Sequence, residues 1–213
     1  MTDTIMQRLR TETRSWHEAL EATSFSLALL DRTLPLEHYV AQLTAYRIIL
    51  ETLETQLAES ADPAIVAVWR DELAKTHLVE LDLEFFDTVP ITAIPVETLD
   101  VAQDFASSIR HHGSTDPASL LGFLYVMEGS TLGGLELAPH IRATFELEGS
   151  RGMAYYSSGD RTRWEQFGAR MNAIPTCRTA HDSILTTADI GYRWIADTIA
   201  TLSRDDQPDS ALR

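Results

Sequence analysis

Two clusters in this 213-residue chain have residue types and spacings that could do chemistry. The first surrounds His17. Arg10 lies seven residues before it, Arg14 three before and Glu21 four after, so on one continuous helix all three share its face. A carboxylate one turn from a histidine can fix the ring's tautomer and raise its basicity, which suits a metal ligand. Two arginines alongside would suit an anionic group lying next to that metal. The plainer alternative is a surface histidine between helix charges. The second cluster is Glu128-Gly129-Ser130-Thr131-Leu132-Gly133-Gly134, closing a strongly apolar run. Glycine inside a helix costs about 1 kcal/mol relative to alanine. Three of them suggest a bend where backbone approaches something flat or bulky, or else that Gly133-Gly134 simply ends the helix.

The elements that must position these clusters read as helices. A first helix is expected over about residues 3 to 23, with Met6, Leu9, Trp16 and Leu20 on its apolar side. From Thr33, a candidate N-cap, the positions Leu36, Tyr39, Val40, Leu43, Tyr46, Leu50, Leu53 and Leu57 mark one face of a long helix. Residues 63 to 76 read as a shorter helix that starts at Pro63 and buries Ile65, Val68 (or Trp69) and Leu73. Pro90 and Pro95 mark a loop, and the next helix should end near His112 with Gly113 as a left-handed cap. Asp116-Pro117 opens the apolar run that leads into the glycines. A last helix, about 178 to 203, carries Ile184, Ala188, Tyr192, Ile195, Ile199 and Leu202 on one face. Strand signals are scarce. The expectation is an all-α single domain of seven or eight helices over residues 1–205, followed by a flexible tail at 206–213.

Composition narrows the function classes. Seventeen basic against thirty-two acidic residues give a net charge of −15, which repels a nucleic-acid partner. One cysteine, Cys177, excludes an internal disulfide framework and a four-cysteine zinc site. No apolar run reaches the ~20 residues of a membrane span, and the start lacks a signal-peptide core, so a cytoplasmic protein is expected. No histidine has glutamate three residues before it, as carboxylate-bridged diiron bundles require. A phosphate-binding Gly-x-x-x-x-Gly-Lys loop and a Gly-x-Ser-x-Gly nucleophile elbow are also missing from the sequence.

Together the two clusters carry a resemblance. LRTETRSWHEALE, residues 9–21, and YVMEGSTLGG, residues 125–134, resemble the proximal and distal helix motifs of haem oxygenases, of the bacterial branch most closely. Arg170-Met171-Asn172 is similar to a further short motif of that family, and the likeness runs from about residue 7 to residue 200. The resemblance implies haem b, as both substrate and prosthetic group, between the first helix and a kinked distal helix. It implies His17 as axial iron ligand, Glu21 as its hydrogen-bond partner, and Arg10 and Arg14 near the haem propionates. Tyr125, Arg170 and Tyr192 would contact the cofactor. Gly129, Gly133 and Gly134 would crowd the oxygen site, and Ser130, with water, would supply protons where mammalian members carry an aspartate. Arg163 is the candidate for a cation that members place before Arg-Met-Asn; Gly168 cannot serve. The implied reaction uses O2 and electrons from a ferredoxin or reductase and yields biliverdin, carbon monoxide and ferrous iron. The alternative is a non-catalytic haem-binding or haem-sensing protein, or a bilin binder, that keeps the fold.

Overall fold

The computed structural model describes residues 3–87, 89, 94–174 and 178–203. Cys177 and the expected tail at 206–213 lie outside them. Among the described residues there is no strand, and ten α-helices and two 3-10 turns follow one another. They are α1 (Ile5–Glu12), α2 (Arg14–Glu21), α3 (Ser24–Leu30), α4 (Leu36–Glu59), α5 (Pro63–Val68), α6 (Thr76–Phe86), α7 (Val96–Thr115), α8 (Leu120–Thr144), α9 (Arg161–Ala173) and α10 (Arg178–Leu202). The fold is all-α, as the periodicity predicts, with more and shorter helices than expected.

The core lies where the long helices meet: α4 packs on α6 and α7, and α10 on α7 and α8. The predicted faces are the buried ones. Tyr39, Leu43, Leu50, Leu53 and Leu57 of α4 and Ile184, Ala188, Tyr192, Ile199 and Leu202 of α10 are all 5% exposed or less. α6 and α9, which the sequence reading left unassigned, begin at caps that lie off the helix or just before it. Glu54 of α4 accepts the backbone N–H groups of Lys75 and Thr76 at 2.6 and 3.0 Å, closing the start of α6 from across the fold. Asp160 accepts from Arg163 N at 2.8 Å at the start of α9.

Several helix boundaries differ from expectation: α5 stops at Val68 instead of running on to residue 76, and three others shift for local reasons. The first helix is broken at Thr13 (φ −100°, ψ 4°), whose hydroxyl donates to the Leu9 carbonyl at 2.7 Å and so competes with the helical ladder. Gly113 is not a left-handed cap. α7 runs through it to Thr115, where Ser114 and Thr115 hydroxyls donate to the His111 carbonyl and Asp116 N closes on His112. α4 starts at Leu36 with Pro35, not Thr33, at the cap position.

α8 does not end at Gly133-Gly134. It continues through them and through Pro139 to Thr144. Ile141, wholly buried, and Ala138 anchor the far end in the core. Burying one such isoleucine contributes about 2 kcal/mol, enough to offset the propensity penalty of both glycines.

Candidate active site

The break at Thr13 separates the first cluster. Arg10 belongs to α1, whereas Arg14, His17 and Glu21 belong to α2, so their shared face is not one continuous helical face. α2 contains no buried residue. It is held to α10 by two contacts: Trp16 Nε1 donates to Asp189 Oδ1 at 2.6 Å, and His17 meets Tyr192. α1 is tied to the same helix through Arg8 and Asp182 at 2.8 Å.

At the centre of the site His17 Nε2 lies 2.6 Å from the Tyr192 hydroxyl, the two rings meeting edge-on with centroids 5.0 Å apart. Burial pulls the imidazole below its ordinary pKa, while the Glu21 charge acts in the opposite direction. His17 is therefore neutral at pH 7, with a ring nitrogen available to an iron. Glu21 makes no hydrogen bond to His17 here; it reaches the ring only as a nearby charge. Burial raises the pKa of the Tyr192 phenol well above its ordinary value, and that of Tyr125 as well. Thr13, 2% exposed, interacts with both phenols, and the Arg10 charge is felt at Tyr125.

Tyr125 leads to the second cluster. Its ring lies 5.6 Å from Trp164, and Trp164 covers Gly129: a Cβ built there would stand 3.7 Å from the indole. One turn on, Gly133 faces open space, with nothing within 4 Å of such a Cβ. Gly134 looks elsewhere, its missing Cβ direction running into the Tyr156 backbone oxygen at 2.9 Å. So the glycines divide. Gly129 makes room for the Trp164 indole, Gly133 leaves α8 bare, and Gly134 lets α8 sit against the 153–158 turn.

Ser130 also turns toward that packing side. Its hydroxyl donates to the Met127 carbonyl at 2.8 Å and bonds the buried Tyr155 hydroxyl at 2.7 Å. The turn that carries Tyr155 is fixed by Asp82, wholly buried on α6, which accepts from Ala154 N and Tyr155 N at 2.6 and 2.9 Å. Burial raises the Asp82 pKa to about 6 against these two bonds. Beside it, Glu128 takes an ion pair on each oxygen: Arg163 Nε at 2.7 Å and Lys75 Nζ at 2.9 Å. The Arg163 contact is an aligned hydrogen bond. The Lys75 contact is close but falls short of hydrogen-bond alignment. Lys75 and Glu128 are each 2% exposed, and burial lowers the pKa of Lys75 against the pull of Glu128.

The remaining predicted cations are placed as follows. Arg10 is exposed and makes no ion pair among the described residues. Arg14 is paired with Glu18 at 3.0 Å on the surface. Arg170 is paired with Glu72 at 3.3 Å. Arg163, the sequence candidate for a further cation, is spent on Glu128. Thr13, Trp164 and Lys75 were not singled out as site residues by the sequence, and Glu128 stood in the glycine cluster without a role of its own. Thr13, four residues before His17, carried a spacing signal; a tryptophan and a lysine far along the chain carried none.

The class these features define is an all-α protein in which a neutral histidine on a short N-terminal helix stands across an aromatic site from a glycine-bared helix. The haem oxygenase family model matches residues 3–198, and the chain belongs to that family. No curated protein matches the chain. Among solved structures, the chain is similar to a haem oxygenase-1 from the cyanobacterium Synechocystis in complex with haem, at 19% identity and TM-score 0.83, covering 95% of this chain and 94% of that one. A haem oxygenase from Leptospira interrogans gives 21% identity and TM-score 0.81, covering 93% and 100%. Haem oxygenase-2 from Synechocystis, in complex with haem and NO, gives 20% and 0.81, covering 98% and 95%. Among the described residues no helix is long and apolar enough to cross a membrane.

Proposed function

We propose that the protein is a haem oxygenase that binds haem b through His17 and opens it to biliverdin, carbon monoxide and ferrous iron, using O2 and electrons from an external ferredoxin or reductase. The observation that carries this reading is the neutral His17 imidazole, its Nε2 turned inward to Tyr192, in a site whose other helix is bared at Gly129 and Gly133. The residues fit the group. One neutral nitrogen suits a metal that brings four ligands of its own, and the open side of Gly133 leaves room for a flat ring. Bound haem supplies the iron that takes up oxygen and the porphyrin that is cleaved.

The chain's own groups do the rest. His17 offers an Nε2 lone pair. A phenol donating to Nε2 selects the tautomer with its proton on Nδ1, which is the one an iron ligand needs. Glu21 favours positive charge on that ring through space. Arg10, which makes no ion pair among the described residues and whose charge acts on Tyr125, is placed to meet a propionate; Arg14 can do so only by leaving Glu18. The hydroxyls that can hold a proton near the site are those of Thr13, Tyr125 and Tyr192, the two phenols staying protonated because burial opposes their ionisation. Ser130 and Gly134 are assigned to seating α8, and Arg170 to holding α9 on Glu72.

The test is to add haemin to the purified protein and then ascorbate or reduced ferredoxin in air. Loss of the Soret band with biliverdin appearing is the expected result, and His17→Ala should abolish both the axial-histidine spectrum and turnover. A stable complex that is never degraded would make the protein a haem carrier or sensor instead.

A further inference from the structure

The 153–158 turn touches α8 at Ser130 and at Gly134, four positions apart and so on one face of the helix. Gly133 lies next to Gly134 in the chain, so the seat of α8 on this turn also fixes where its bare side stands. The Ser130 hydroxyl donates its one proton to the Met127 carbonyl at 2.8 Å, which leaves the Tyr155 phenol as donor in the 2.7 Å bond between them. Tyr155 is wholly buried, edge-on to Tyr46 at 5.5 Å and to Tyr156 at 5.4 Å, so its hydroxyl goes where its backbone aims it. That backbone is held from α6, where Asp82 accepts the Ala154 N–H on one oxygen and the Tyr155 N–H on the other. Asp82 is wholly buried, yet it borders a cavity of about 330 Å³ between α6 and the 150–154 loop. The titratable groups around it are the Tyr39 phenol on α4, which feels its charge, Tyr155 on the turn, and Glu84 and Arg151 at the cavity.

We propose that Asp82 is a positioning residue for the α8 side of the site: as a carboxylate it aims Tyr155 at Ser130 and so sets how α8 presents Gly133, and its protonation from the cavity releases that seat. The role in the site rests on the haem reading given above; the coupling from Asp82 to Ser130 does not. A carboxylate offers a full acceptor to each N–H group. The acid keeps one, and its own O–H needs a partner, so one of the two bonds must weaken. Burial places this change at about pH 6, against two backbone bonds that favour the charged form.

The coupling is read in the haem-free protein from backbone amide resonances, titrated between about pH 5 and pH 7. The Ala154, Tyr155 and Ser130 amides should move together with one midpoint at about 6. Asp82→Asn should hold all three still. Tyr155→Phe keeps the carboxylate and both backbone bonds, so Ala154 should still move while the response at Ser130 is lost. With haem bound, the C–O stretch of the ferrous carbon monoxide complex reports how closely α8 crowds the ligand. It should shift with the same midpoint in the parent and be independent of pH in both variants. An Asp82 that only stabilises the fold would change the melting point and leave that band unmoved. A Ser130 amide that ignores pH in the parent, or still titrates in Tyr155→Phe, would overturn the coupling. A band independent of pH in the parent would overturn the role in the site. Should Asp82→Asn fold poorly, the parent titration and Tyr155→Phe decide the matter without it. A parent that takes up no haem would overturn the haem reading, and the role in the site with it, while the amide titration still decides the coupling.

Discussion

Tyr192→Phe removes one oxygen from the centre of the site, and its consequence can be worked from a single bond. The Tyr192 hydroxyl closes His17 Nε2 at 2.6 Å. On the proposed ligation an iron at Nε2 would take that place, so the bond would be lost when haem binds. A net contribution of about 1 kcal/mol is usual for such a bond, and it is subtracted from the affinity for haem. Without it, haem should bind up to about fivefold more tightly, while the haem-free protein should lose a similar 1 kcal/mol of stability. The ring should also protonate more readily, because an acceptor bond at Nε2 favours the neutral form. Haemin titrated against Soret absorbance gives the affinity, and a thermal melt of the haem-free protein gives the stability. Weaker haem binding by a variant that melts normally would refute the reasoning, because the hydroxyl would then have to support the bound state.

The two adjacent glycines should respond differently. Gly133→Val should leave the haem-free melting point near the parent's but cut biliverdin yield after haem is bound, as its side chain enters open space on the site side. Gly134→Val meets the Tyr156 carbonyl and should cost about 1–3 kcal/mol in a urea or thermal melt, with or without haem. Glu128→Gln leaves Lys75 buried without its counter-charge, a loss of about 3 kcal/mol that lowers Tm by roughly 6–12 °C. A cycle with Lys75→Met should return a coupling well above the few tenths expected of an exposed pair. Asp82, raised to about 6 in the fold, stabilises the protein when protonated; that contribution is complete below about pH 4 and is lost as pH rises through 6. Relative to Asp82→Asn, the parent should therefore lose on the order of 2 kcal/mol in urea titrations between pH 4 and pH 7.

The helix periodicity of α4 and α10 was plain in the sequence because each buries a complete stripe, and that stripe is a local, repeating signal. His17 and the glycine motif were legible because each stands in one short run of residues, although their partners, Tyr192, Trp164 and Tyr156, lie far along the chain. What the sequence could not convey were the long-range polar contacts. Glu54 starts α6 from another helix, and Glu128 collects Lys75 and Arg163 from positions fifty-three residues before and thirty-five after it. Ser130 illustrates the limit. Its place in the motif suggested an active-site hydroxyl, yet a bond to Tyr155, set by the fold of a distant turn, aims it at the packing side. Thr13 is the converse. Its break was invisible to a pattern of apolar residues, because it comes from a hydroxyl competing for one carbonyl.

That break, with the absence of any buried residue in α2, bears on how a ligand as large as haem gets in. A segment with no fully buried residue, resting on the core only through the partly buried Trp16 and Leu20, joined to α1 at a non-helical residue and fastened to α10 by an indole hydrogen bond and the histidine–tyrosine pair, can detach at a fraction of the free energy of global unfolding. The proximal side is thus a low-stability unit hung on a rigid scaffold, and uptake can proceed by its swinging outward while α4, α8 and α10 stay closed. Amide hydrogen exchange would register this as rapid labelling of residues 14–21 in the haem-free protein beside slow labelling of α4. If His17 takes the iron as proposed, the same amides should become protected on haem binding, turning the loosest helix of the site into part of its frame.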